Sequence, residues 1–499
     1  MKNQPKALEK PKINTLAELK SSGWLSRSVH QELRENLIAR IKANETRFEG
    51  IWGYESTVIP ELERAILSGH NICLLGLRGQ AKTRLARGMV QLLDEWMPMV
   101  QGSDLNDDPI NPISGFSIEK IKEHGGLTPI DWVHRDDRFT EKLASPDVSV
   151  ADLIGDVDPI KAASLGLPYS DERVIHYGLI PRANRGIFVI NELPDLQARI
   201  QVALFNILQE GDIQIRGFRK RVPLDISFIF TANPEDYTNR GSIVTPLKDR
   251  IGSQILTHYP ADIETGKKIT RQESGKRTGT EIRIPELARD MIEQVAIEAR
   301  NSEFVDSRSG VSARLTISAI ENLLSTAERR MLSNQEGESC LRFSDIYGII
   351  PAITGKVELV YEGEQEGGRI VAMNLIGKAC RSLFLQHFPD PEQSRKSSRE
   401  NPYAEVANFF ADGNTILFQE GESLENYHKN LAMVPGLDDL VFDSSLSVTA
   451  DEIHFWKEFI LFGLSECSVI SKKILGNGTG FSDLLGSMID LDSFDPEED

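Results

Sequence analysis

Only four of the 499 residues are cysteine, and Cys73, Cys340, Cys380 and Cys467 stand too far apart for a zinc site or a disulfide framework. That scarcity excludes small cross-linked folds and points to a reducing, cytoplasmic setting. Long apolar runs are missing too. The most apolar late stretch, Phe455 to Leu464, is broken by Lys457 and Glu458 and is too short to span a bilayer. Met1 to Lys12 is rich in Lys and Pro with no apolar centre, so it does not read as a secretory signal. Basic charge is in deficit. The formal net charge is −19, so phosphate backbones repel the chain as a whole and non-specific nucleic-acid binding is not expected. Arg216 to Arg221 is a local basic loop that runs against this trend. No internal repeat is found, which excludes a solenoid.

What is present is ordinary for a globular chain: 40% hydrophobic and 26% charged residues, over a length sufficient for two to four domains. One stretch stands apart. Asn71 to Leu75 reads as an apolar strand, Gly76 to Ala81 as a glycine-bearing loop, and Lys82-Thr83 open a helix predicted over Arg84 to Leu93. This is the layout of a phosphate-binding loop, G-x-x-x-x-G-K-[ST], with Ala81 where the second glycine usually stands. Backbone N–H groups of Gly76, Arg78, Gly79, Gln80, Ala81, Lys82, Thr83 and Arg84 would face anionic oxygens. Lys82 would reach the β- and γ-phosphates of ATP, and Thr83 would offer its hydroxyl to Mg²⁺. An ordinary strand–turn–helix corner does not account for Lys and Thr together at a helix start.

Around this motif the pattern is α/β. His30 to Ala43 and Val58 to Leu67 have helical spacing. Gly186 to Asn191 and Ile226 to Ala232 read as strands buried on both faces, with a helix over Leu196 to Gln209 and a hairpin over Gly211 to Leu224 between them. Past residue 280 the chain turns helical, over Ile284 to Arg300 and Thr316 to Leu332. Tyr361 to Gly368 reads as an acidic loop, Asp390 to Asn401 as a linker, and Asp490 to Asp499 as a disordered acidic tail.

Hydrolysis needs a group that orients water. The strand GIFVIN ends in Asn191-Glu192, and Glu192 is placed to polarise an attacking water. A helix-capping acid is the plainer alternative. Asn191 stands where Asp is usual. It keeps an acceptor oxygen for the Mg²⁺ shell but not the charge, which predicts weaker metal binding or slower turnover. Asn233, after the strand ending Thr231-Ala232, lies between the first two motifs in a sheet ordered 5-1-4-3-2, or else simply forms an Asn-Pro turn. Arg250 can act as an arginine finger or sit in a surface salt bridge. Arg314, opening a helix, can reach a γ-phosphate or be an ordinary first-turn arginine.

Together and in this order, the stretches GLRGQAKT (76–83), GLIPRANRGIFVINEL (178–193), LQEGDIQIR (208–216) with FTANP (230–234), and LKDR (247–250) resemble the AAA+ ATPases of the MoxR and magnesium-chelatase ATPase-subunit group. Ala before Lys is common in MoxR-type loops. The resemblance covers about residues 48 to 335. It implies an AAA+ nucleotide-binding domain (47–262) and a helical lid (263–340); an N-terminal extension with one helix (1–46) and a mostly helical C-terminal region with an acidic tail (341–499) are read from the residues outside it. It implies a strand–helix–strand insertion near Val148 to Pro181 and a homo-oligomeric, hexameric ring. In that ring Arg250 acts in trans and Arg314 serves as second sensor. It also implies a partner with a von Willebrand factor A domain, on which an ATP-driven motor acts. A magnesium-chelatase ATPase subunit and a nucleotide-dependent scaffold with little hydrolysis remain the alternatives.

Overall fold

The computed structural model describes residues 9–169, 171–215, 218, 221–234, 243–275, 282–336, 341–396, 401–443, 448–475 and 478–484. The chain divides into two units, 1–259 and 260–499. In the first, β1 (Ile72–Leu75), β2 (Phe139–Leu143), β3 (Gly186–Asn191), β4 (Ile226–Ala232) and β5 (Ser253–Leu256) form one sheet in the order β5-β1-β4-β3-β2. All its pairings are parallel, so the expected order 5-1-4-3-2 is the observed one.

Every residue of β1, β3 and β4 is buried, because helices cover both faces. Side chains alternate between those faces. Ile72, Leu74, Ile187, Val189 and Ile229 pack with Leu85, Ala86 and Met89 after the phosphate-binding loop and with Leu33 and Leu37 of helix Val29–Lys42. Cys73, Leu75, Phe188, Ile190, Phe228 and Phe230 pack on the opposite side with Ile200, Leu204 and Ile207 of helix Ala198–Glu210. Each of the large aliphatic and aromatic side chains among them contributes about 1.5–3 kcal/mol through burial. Leu75 stands beside Ala232, Ile190 beside Phe230 and Asn191 beside Leu143, so four strands end level at the carboxyl edge. That edge is where open parallel sheets bind ligands.

Helix Val58–Leu67 falls where the spacing predicts. The helix after the loop spans Lys82–Gly88, two residues earlier than expected, and a 3-10 turn over Met89–Leu92 replaces its second half. The Phe48 ring packs close to Gly88, 3.2 Å from where a Cβ would lie. The insertion is present: Gly155–Val157 pairs antiparallel with Ile175–Tyr177, and helix Pro159–Leu165 lies between them. Asp158 caps that helix by accepting from the Ile160 and Lys161 N–H groups. Asp212–Gln214 and Arg221–Pro223 form the expected hairpin, and most of the basic loop joining them lies outside the described residues. An antiparallel pair, Trp96–Val100 with Ile130–His134, was not foreseen. Pro98 argues against a strand there, but a two-stranded ribbon has open edges that tolerate it.

The second unit is built on helices Glu286–Asn301, Arg314–Asn334, Gly368–His387 and Ile453–Glu466 around one core. Residues on both sides of position 340 share that core, so no gap in packing marks the boundary drawn there from the sequence. Glycine permits a close helix approach. A Cβ at Gly463 would lie 2.1 Å from Phe384 Cδ2. Glu458 is fully buried on Ile453–Glu466 and accepts from Phe343 N (2.6 Å), Ser344 N (3.2 Å) and Tyr427 Oη (2.8 Å). Three expectations are corrected. Tyr361–Glu366 is a helix, not an acidic loop, and Glu362 and Glu364 in its first turn favour the helix dipole. Pro391–Lys396, inside the expected linker, is also helical, while 397–400 lie outside the described residues. The C-terminal hundred residues hold a three-stranded antiparallel sheet (Ile416–Gln419, Ser471–Leu475, Gly478–Ser482) besides their helices. The acidic tail 490–499 and residues 1–8 lie outside the described residues. Among the described residues no helix is long and apolar enough to cross a membrane.

Candidate active site

The glycine-bearing loop leaves β1 at the centre of the sheet's carboxyl edge. Gly76 N–H donates to Ala232 O (3.1 Å), which ties the loop's start to the end of β4. No larger residue fits at Gly76, since a Cβ would lie 1.9 Å from Thr257 Oγ1 and 2.2 Å from Gln80 Oε1. Gln80 is buried and points inward, accepting from Thr257 Oγ1 (2.8 Å). Tyr54 Oη donates to Gln80 O (2.9 Å) and His258 O (2.7 Å), and burial pushes its pKa up to about 12, so it remains a donor at neutral pH. Tyr259 Oη donates to Arg78 O (2.9 Å). The loop is therefore clamped through its carbonyls. Gly79 (φ 73°) and Ala81 (φ 55°) take left-handed conformations immediately before the helix starting at Lys82. Ala81 holds this conformation without glycine's freedom, at a cost of about 1–2 kcal/mol. Lys82 is buried, and its Nζ donates to Gly76 O and to Leu77 O (3.0 Å), which holds the ammonium over the loop. Thr83 is half-buried, and Arg78 and Arg84 are exposed.

Asn191 and Glu192 stand two strands away, at the end of β3. Glu192 is left-handed (φ 54°, ψ 50°), and its N–H donates to Thr231 Oγ1 (3.1 Å) on β4. Such strain in a non-glycine residue persists only where surrounding bonds fix it. The sequence suggests that Asn191 lends an oxygen to Mg²⁺, but its amide is engaged on both sides. Oδ1 accepts from Thr231 Oγ1 (3.1 Å) and Nδ2 donates to Glu141 Oε1 (2.8 Å) on β2. Asn233 is buried directly after β4. The structure therefore gathers the loop, Asn191, Glu192 and Asn233 along one carboxyl edge. Arg250 ends helix Thr245–Arg250 and is held over the Phe205 ring (4.3 Å to its centre), with bonds to Gln209 Oε1 (3.2 Å) and Asp249 Oδ2 (2.8 Å). Arg314 belongs to the second unit, where it opens helix Arg314–Asn334 and is exposed.

Sequence reasoning missed Glu141, Arg87 and the role of Thr231. The run FTEKL in β2 has no apolar signature, since an edge strand is only partly buried. Thr83 and Glu192 bring oxygen donors to this edge, a hydroxyl and a carboxylate, whereas Glu141 and the Asn191 amide are bonded to each other. Mg²⁺ takes such hard ligands and keeps several waters, so the donor set fits that ion. Among the described residues no cluster of three or more His, Cys, Asp or Glu side chains is arranged as a metal site of its own.

The family described as the Sigma-54 interaction domain matches residues 169–252. The magnesium-chelatase 38 kDa subunit of Rhodobacter capsulatus is 26% identical over 228 residues, covering 45% of this chain and 59% of that protein. Its counterpart from Cereibacter sphaeroides is 30% identical over 206 residues, covering 41% and 56%. The chain thus spans less than two thirds of the length of these curated relatives. A solved structure described as a complex between subunits BchI and BchD of magnesium chelatase aligns over 64% of this chain and 98% of that one, at 19% identity and a TM-score of 0.35.

Proposed function

We propose, from the premise that the chain belongs to the AAA+ group of MoxR proteins and magnesium-chelatase ATPase subunits, that it hydrolyses ATP to ADP and phosphate and uses the cycle to remodel a partner protein. One observation carries the hydrolytic part. Glu192 is fixed in a strained conformation at the end of β3, on the same edge as a clamped phosphate-binding loop. A carboxylate held there orients the attacking water and accepts its proton. The loop's N–H groups and Lys82 hold the β- and γ-phosphates, Lys82 exchanging loop carbonyls for phosphate oxygens. When bound, Mg²⁺ neutralises charge on those oxygens, and Thr83 would hold it. Arg250 stabilises the transferring phosphoryl group of a neighbouring copy, and its side chain, 31% exposed, can be presented outward. Asn233 and Arg314 report loss of the γ-phosphate in this reading.

A hexameric ring, a partner with a von Willebrand factor A domain and cytoplasmic action are the finer parts of the proposal. The chelatase-subunit alternative differs only in the client. The scaffold alternative is favoured by one feature, the uncharged Asn191. Steady-state phosphate release by the purified chain with ATP and Mg²⁺ separates motor from scaffold. Hydrolysis that is lost in Lys82→Ala and falls about 10³-fold or more in Arg250→Ala supports the motor. A folded chain without ATP affinity in excess Mg²⁺ would refute both.

A further inference from the structure

We infer that Glu141 supplies the negative charge that the second acidic motif lacks at Asn191, and that the pair positions Glu192 through Thr231. This rests on the hydrolytic reading above and deepens it.

A hydrogen-bonded relay with one consistent polarity joins these residues. Arg87, on the helix that follows the phosphate-binding loop, donates through Nε to Glu141 Oε2 (2.9 Å), and its Nη2 makes an ion pair with the same oxygen at 2.8 Å. Glu141 Oε1 accepts from Asn191 Nδ2 (2.8 Å), and Asn191 Oδ1 accepts from Thr231 Oγ1 (3.1 Å). With its one proton committed to Asn191, the hydroxyl takes the Glu192 N–H on a lone pair (3.1 Å). All these side chains share a sheet face. Residues two apart on a strand point the same way. Phe139, Val189 and Ile229, each two residues before Glu141, Asn191 and Thr231, pack in the core that includes Leu85, Ala86 and Met89. Arg87 follows Thr83 by four residues, so the two share one helix face. The relay therefore runs from the helix that carries Thr83 to the backbone of Glu192.

Polarity explains the residue at 191. The position must donate to a carboxylate on one side and accept from a hydroxyl on the other, and an amide does both at once. Aspartate there would set two carboxylates against each other at hydrogen-bond distance. The acidic charge has in effect moved one strand over, from β3 to β2, and the amide is its counterpart rather than a loss. Glu141 is a positioning residue in this account. It acts on water only through Glu192.

The charge-swapped pair provides the test. In the full chain, kcat and KM for phosphate release, ATP affinity by calorimetry and the thermal midpoint are measured for wild type, Asn191→Asp, Thr231→Val and the double variant Glu141→Gln/Asn191→Asp. Asn191→Asp alone should lower kcat about tenfold or more while KM and ATP affinity stay within about threefold, as expected when a reacting group is misplaced by a fraction of an ångström. Thr231→Val should do the same. The double variant places the carboxylate on 191 with a donor amide at 141, and should recover kcat to within about threefold of wild type. Asn191→Asp as fast as wild type, or a double variant recovering the thermal midpoint but not kcat, would overturn the inference and leave the ATPase reading standing. A wild type that binds ATP but releases no phosphate would overturn that reading, and the positioning role with it.

Discussion

Strand β3 is bracketed by two left-handed residues, Arg185 (φ 60°) before Gly186 and Glu192 (φ 54°) after Asn191. The two ends solve the same geometric problem for different purposes. At the amino end, Arg185 is buried and donates to Pro98 O (2.8 Å) and Asn106 O (3.2 Å). Beside it Arg138 and Glu32 form a bidentate pair (2.7 and 2.6 Å), sealed from solvent. At the carboxyl end the relay finishes on Glu192, which is only half-buried. Strain alone therefore does not mark a working site. What separates the ends is where the charges stop: in a closed pair at one, at a residue that solvent and ligand can reach at the other.

Exchanging the consequences of mutation between the ends would break this comparison. Glu192→Gln keeps size and hydrogen bonding but removes the base, and should slow phosphate release about 10²–10⁴-fold with the unfolding midpoint unmoved. Arg138→Ala should do the reverse. It strands the Glu32 carboxylate in the interior, so unfolding by urea should show a loss of about 3–5 kcal/mol, while kcat per folded molecule holds. A Glu192 variant that unfolds early, or an Arg138 variant that stays stable, would mean that the two ends have been assigned the wrong way round.

A subtler difference is in pH response. Asp225, just before β4, lies near Glu32 and Arg185 and accepts from Val29 N (2.8 Å). Burial raises its pKa from 3.8 to about 6. The folded value lies above the unfolded one, so its contribution to stability is full below pH 3.8 and is lost as pH rises through 6. The difference across that window is about 2–3 kcal/mol. From pH 4 to pH 7 Asp225→Asn should therefore gain stability relative to wild type by about 2–3 kcal/mol, as followed by denaturant titration of both at each pH. Equal slopes would remove Asp225 from the amino-end network.

The central strands were legible because parallel strands covered on both faces must be continuously apolar, as GIFVIN and ISFIFTA are. The loop was legible because Lys82-Thr83 follow a glycine turn at a fixed spacing. Glu141 was not legible. Its strand lies at the sheet edge, and its partner Asn191 is 50 residues away, so neither periodicity nor spacing joins them. Asn191 looked like a defect because a single position was read without its neighbour. The C-terminal strands were hidden for a related reason: Ser471–Leu475 and Gly478–Ser482 are short, and the second of them pairs on its far side with Ile416–Gln419, more than 50 residues earlier.

The smallest expected effect sharpens the comparison at a third left-handed position. Ala81 (φ 55°) makes no side-chain hydrogen bond at the helix start, unlike Arg185, whose guanidinium is anchored. Glycine relieves the left-handed strain but adds freedom to the unfolded chain. The balance for Ala81→Gly is a gain of up to about 1 kcal/mol, read as a small rise in the denaturation midpoint. Arg185→Gly relieves the same strain but forfeits the anchor and should be destabilising. If both glycine variants shifted stability in the same direction, backbone strain rather than side-chain anchoring would govern these positions, and the contrast between the two ends of β3 would need another cause.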